Sequence, residues 1–95
     1  MSPSSFKFTL YVAGENQNSV RALANLTAIC KEHLRNRYHI EVVDVFKAPQ
    51  RALDDGVFLT PTVVKLAPLP RRTIVGCLSE TDPVLHAFGL ASSAK

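Results

Sequence analysis

The side chains able to do covalent or metal chemistry are few: Cys30 and Cys77, with His33, His39 and His86. Disulfide exchange needs an exposed thiolate, and a structural zinc site needs Cys or His at short repeated spacings. The two cysteines lie far apart, form no C-x-x-C pair and keep no ligand spacing with the histidines. Cys30 falls on the apolar stripe of a helix and reads as a buried structural thiol. Cys77 is left as the one thiol a redox activity could use. Neither a metal nor a cofactor is expected. A more telling stretch is Phe58-Leu59-Thr60-Pro61-Thr62-Val63-Val64-Lys65, continued by Arg71-Arg72-Thr73-Ile74-Val75-Gly76. Apolar and β-branched residues flank a Thr-Pro step, as in two short strands joined by a tight connection. Pro61 has no N–H for a ladder, so Thr60-Pro61 must open a strand or lie at an edge. A cis bond is open there, although only about 5–6% of X-Pro bonds in folded proteins are cis.

The remaining chain supplies elements to position these residues. Phe6 to Ala13 alternates and then turns wholly apolar, as in a strand buried on both faces at its far end, and Gly14 stops it. Glu15 to Ser19 offers helix-capping side chains. Val20, Leu23, Leu26, Thr27, Ile29, Cys30 and Leu34 recur at three- and four-residue steps and predict one apolar helix stripe. His39 to Phe46 reads as a second strand. Strand, helix and strand in succession imply a parallel pair. Pro49 suits the first turn of a short helix over Gln50 to Asp55. Pro68-Leu69-Pro70 breaks the strand pair. Ser79 is an N-cap candidate for a last helix through Phe88, with Gly89 as its stop.

A length of 95 residues with 46% hydrophobic content means one domain and one core. The ends, Met1 to Ser5 and Ala91 to Lys95, are expected to be disordered. The formal charge is +3, with Lys and Arg scattered rather than gathered in a run. A nucleic-acid footprint would be a concentrated stripe with aromatics interleaved, and no apolar run nears the ~20 residues of a membrane span. Binding to neither nucleic acid nor membrane is therefore expected, and a cytoplasmic, reducing compartment fits the cysteine usage. The order β-α-β-α-β-β-α is that of a thioredoxin-like α/β domain with a mixed sheet. Thioredoxin-like enzymes place their reactive cysteine just after the first strand. Here that turn is Gly14-Glu15-Asn16-Gln17-Asn18-Ser19.

Leu10-Tyr11-Val12-Ala13-Gly14 followed by Asn18-Ser19-Val20-Arg21-Ala22-Leu23 resembles the start of the KaiB family of circadian-clock proteins. Asp44-Val45 with Lys47, Pro49 and Gln50, then Thr60-Pro61-Thr62 with Lys65, then Arg72, Ile74, Gly76, Leu78 and Ser79 resemble its later signatures, in order. Thioredoxin-like sensor domains of clock histidine kinases are similar but ordinarily precede a kinase, so a free-standing, divergent KaiB-like protein is expected. The resemblance implies a non-enzymatic regulator of circadian or stress-related signalling that binds the N-terminal ring of a KaiC-type hexameric ATPase. A KaiA-like protein and a homodimer or homotetramer are further implied partners. Arg21, Lys65 and Arg72 match the family's ring-contacting basic positions. Glu41 stands where the family has a Lys, which bears on the KaiA-type contact. The alternative from the residues alone is a thioredoxin-fold redox or chaperone-like protein using Cys77.

The resemblance also implies two folds: the thioredoxin-like one, and a tetrameric ground state with the C-terminal half rearranged. Gly76-Cys77 replaces the family's Gly-Asp, and Ala87 and Gly89 stand where the family has Gly and Asp. Ala favours helix over Gly by about 0.5–1 kcal/mol. These positions are expected to bias the chain toward the thioredoxin-like state, with Ser79 to Phe88 helical.

Overall fold

The structure is a computed structural model, and it describes residues 5–89. The expected disorder of the ends falls outside the described residues, except at Ser5, which is exposed and belongs to no element. Strands β1 (Phe6–Val12), β2 (Tyr38–Asp44), β3 (Thr62–Ala67) and β4 (Arg72–Val75) alternate with helices α1 (Gln17–His33), α2 (Pro49–Asp54) and α3 (Thr81–Phe88) in the expected order. The sheet runs β2-β1-β3-β4. β1 and β2 are parallel, while β3 is antiparallel to both β1 and β4. The architecture is thus the thioredoxin-like one with a mixed sheet.

Two cores lie on the two faces of the sheet. Phe6, Phe8, Leu10 and Val12 of β1 point at α1 and α3, where Ala22, Leu26, Ile29, Cys30, Val84 and Phe88 close over them. Tyr11 points the other way and packs with Val43, Ala52, Val57 and Val64 beneath α2. This is the period of two that the alternation in β1 demands. The short α2 leaves its face only partly covered, so Leu66 and Val75 are exposed there.

Helix α1 begins where Asn16, in extended backbone, accepts the Ser19 amide on its side chain at 2.9 Å. It ends at Leu34, whose amide reaches the Cys30 carbonyl at 2.7 Å, before Arg35 and Asn36 turn left-handed. Its stripe differs from the expected one. Ser19, Ala22, Leu26, Ile29 and Cys30 are buried, whereas Val20 is 64% exposed and Leu23 is also exposed. The small residues Ser19 and Ala22 let the first turns approach the sheet, and that rotation carries Val20 and Leu23 outward.

Three further boundaries move. β2 ends at Asp44, so Val45 and Phe46, expected in the strand, stand in the turn after it. Phe58 and Leu59, expected in a strand, stand in a loop, and β3 opens only at Thr62. The ladder begins at the proline itself, where the Gly76 amide donates to the Pro61 carbonyl at 2.9 Å. The last helix starts at Thr81 with Glu80 as N-cap, not at Ser79. The chain first turns inward at Leu78, which is buried at a φ of 64°. Gly89 ends α3 in the left-handed conformation expected of it, with a φ of 74°.

Candidate interaction site

One end of the sheet gathers the turns after β1, β2 and β4 and the loop before β3, because β1 and β2 run toward it and β3 runs away. Gly14 turns the chain there at a φ of 70°, and its amide donates to Asp44 Oδ1 at 3.3 Å. The same oxygen accepts the Phe46 amide at 2.9 Å. A Cβ at Gly14 would meet the Phe46 ring at an ordinary contact distance of 3.8 Å, so it is the left-handed φ, not the ring, that favours glycine here. Beside them the Thr60–Pro61 bond is cis, as are Ala67–Pro68 and Leu69–Pro70. Thr62 Oγ1 donates to the Leu59 carbonyl at 2.6 Å and holds the loop against the strand. Phe46 is 75% exposed, Phe58 81% and Leu59 63%. Large side chains held outward on an ordered scaffold suit contact with another protein.

The turn after β1 carries no thiol, and of the two cysteines only Cys77, just after β4, lies toward this end. Cys30 is buried under α1, and burial pushes its thiol up to about 12. Cys77 is half-buried in the loop between β4 and α3, where its carbonyl accepts from Asn25 Nδ2 at 2.7 Å. Among the described residues no cluster of His, Cys, Asp or Glu could hold a metal ion. No described helix is long and apolar enough to cross a membrane.

The three basic positions singled out in the sequence fall in different environments. Arg21 is exposed in the first turns of α1, at the end that carries Phe46, Phe58 and Leu59. Lys65 and Arg72 are cross-strand partners in β3 and β4, toward the opposite end. Arg72 is exposed, but Lys65 is only 3% exposed and is no solvated charge. Its Nζ lies 5.8 Å from the centre of the Phe6 ring and donates to the Phe88 carbonyl at 3.5 Å, at the negative end of α3. Burial, and then the neighbouring Arg72 charge, lower its pKa from the ordinary lysine value of 10.5. A depressed lysine pKa means the buried ammonium costs stability at neutral pH, and the cost fades as pH rises toward 10.5. Lys65→Met, which keeps the aliphatic stem, is therefore expected to unfold at equal or higher urea concentration near pH 7. The advantage should shrink in alkaline buffer.

Of the positions expected to bias the fold, Gly76 sits at a φ of 121° directly after β4 and Ala87 is half-buried within α3. Cys77 and Gly89 flank that helix on either side.

A polar network that the sequence did not signal ties the second half of the chain to the first. The Tyr11 hydroxyl donates to Asp55 Oδ2, and Arg71 Nη2 donates to Asp55 Oδ1 at 2.7 Å. Burial, and then the Asp55 hydrogen bond, push the Tyr11 hydroxyl from 10.0 up to about 12. Nearby, Arg51 grips both oxygens of Glu41 at 2.7 and 2.8 Å and holds that carboxyl below the usual range.

Fold and site together define a thioredoxin-like domain whose turn after β1, where an enzyme of that fold would present cysteine, holds none, and whose loop end exposes apolar side chains from the neighbouring turns. Comparison with known proteins narrows this. Residues 9–90 match the KaiB domain family, and the chain belongs to it. It is 45% identical over 91 residues to the circadian clock oscillator protein KaiB of Synechococcus elongatus, covering 95% of this chain and 89% of that one. It is 41% identical over 76 residues to the circadian clock protein KaiB3 of Synechocystis sp., covering 80% and 74%. In fold it is similar to the N-terminal domain of Synechococcus elongatus SasA, with a TM-score of 0.75 at 17% identity over 100% of this chain and 97% of that one. Mitochondrial thioredoxin 3 of Saccharomyces cerevisiae gives 0.67, over 92% and 77%.

Proposed function

We propose that this chain is a non-catalytic clock-type regulator that docks on the N-terminal ring of a KaiC-type hexameric ATPase and thereby modulates circadian or stress-related signalling. The observation that carries this reading is the exposure of Phe46, Phe58 and Leu59 together at the loop end. Such an end suits contact with another protein, and membership of the KaiB family supports a KaiC-type partner for it. Arg21 shares the end and would act as a rim charge, setting association rate and salt dependence more than affinity. Arg72 lies apart from it, so a role for Arg72 requires a partner that wraps the sheet. A KaiA-like protein, and self-association as a dimer or tetramer, are further partners in this reading. Two unpaired thiols suit a reducing cytoplasm.

The test is ATP-dependent co-elution with a KaiC homologue. Phe58→Ala is expected to weaken the complex about 30-fold, as loss of a central aromatic anchor does. Arg21→Glu is expected to slow association several-fold and to flatten its salt dependence. Absence of an ATP-dependent complex, or a Phe58→Ala protein that binds like the parent, would refute the proposal.

A further inference from the structure

The end of the sheet opposite Phe46, Phe58 and Leu59 concentrates charge that the sequence disperses. The start of β1 brings Lys7 there. The last turn of α1 and the loop after it bring Lys31, Arg35 and Arg37, and the start of β4 brings Arg72. Their convergence follows from the pairing of Phe6 with Tyr38, of Lys7 with Ala67 and of Lys65 with Arg72. The Phe6 amide also bonds the Arg37 carbonyl at 2.8 Å. All five side chains are exposed. Among the described residues of these segments the one acid is Glu32; Asp55, after α2, reaches in only to pair with Arg71. Leu69 projects from the same end in the loop between β3 and β4. It lies between Pro68 and Pro70 and is 81% exposed.

We infer that this end is a peripheral binding surface for an anionic phospholipid bilayer. A broad array of cations on three separate elements matches a plane of anionic headgroups, and a leucine at a loop tip can enter the acyl boundary beside them. Nucleic acid fits less well. The described aromatics near this end, Phe6 and Tyr38, are buried and half-buried, which leaves no platform for base stacking. The inference runs against the expectation of no membrane partner, which weighed spanning segments alone. It lies apart from Phe46, Phe58, Leu59 and Arg21, which stand at the other end, and it shares only Arg72 with an ATPase partner that wraps the sheet.

The experiment is co-sedimentation of the full chain with vesicles of equal parts phosphatidylglycerol and phosphatidylcholine, and with phosphatidylcholine vesicles alone. The protein is expected to sediment with the anionic vesicles only, and to be released near 1 M salt, where the Debye length falls to about 3 Å. Removing each cation is expected to lower the partition coefficient about fivefold, so Lys31→Glu with Arg35→Glu should lower it at least about 25-fold. Leu69→Ser should lower it about tenfold. All these positions are exposed, and unchanged thermal melting will show that the variants fold. The inference is overturned if neither vesicle sediments the protein, if both do so equally, or if the variants partition like the parent. Preference for duplex DNA at equal phosphate concentration would also overturn it and assign the end to nucleic acid.

Discussion

Phe88→Ala is expected to destabilise the protein by about 3–5 kcal/mol, the ordinary cost of deleting a buried aromatic ring. Phe88 is the last residue of α3 and is 1% exposed. Its ring lies 4.8 Å from that of Phe8, which in turn stacks on Phe6 at 6.0 Å. Only Phe88 and Val84 of α3 are buried, so the helix has two anchors and would lose the larger. An eight-residue helix does not persist without its packing. Domains of this size are stable by about 5–15 kcal/mol, so the loss is a large share of the total. The first strand, α1 and β2 keep their own contacts. Urea denaturation followed by far-UV circular dichroism should show a much lower midpoint and a smaller helical signal before the main transition. A midpoint within experimental error of the parent would show that α3 does not depend on this ring.

Asp55→Ala has the second largest expected effect, about 1.5–3 kcal/mol, because the carboxylate is a charged acceptor for a buried hydroxyl. Without it the Tyr11 hydroxyl keeps only the Arg51 carbonyl at 3.3 Å. Arg71 would also lose its partner, but that pair is half-exposed and contributes little. The pH dependence separates the two effects. Tyr11 titrates above its ordinary value, so its contribution to stability is intact below pH 10.0 and is lost as pH rises through about 12. Burial is the larger cause and survives the substitution; the Asp55 share does not. Tyrosinate absorbance in Asp55→Ala should therefore appear at lower pH than in the parent, though still above the ordinary range. Unfolding above pH 10.0 should also come earlier in the variant. An unaltered Tyr11 titration would show that the hydroxyl and carboxylate are not coupled in solution.

These two substitutions touch different kinds of information. Phe88 is apolar at helical spacing from Val84, and the sequence already marks it as a core residue. Asp55 looks like an ordinary acid at the end of a short helix. Its partner Tyr11 is 44 residues away, and no local pattern connects them. The loop end was half legible. Gly14 announced the turn after β1. Phe58 and Leu59 were misread, since apolar residues beside a strand look like strand. They became surface because Pro61 starts the ladder and leaves the preceding residues unpaired.

The sequence by itself determined the order and type of the elements, the parallel first pair, the burial of Cys30, the left-handed stop at Gly89 and the KaiB resemblance. Each rests on periodicity, capping or motif spacing, which act over a few residues. Only the tertiary structure decided which way α1 rotates about its axis. It also buried Lys65 under the end of α3, joined Tyr11 to Asp55 and Arg71, and collected Lys7, Lys31, Arg35, Arg37 and Arg72 at one end. Those outcomes depend on which strand lies beside which and in what register, and strand pairing brings together residues that no local rule relates.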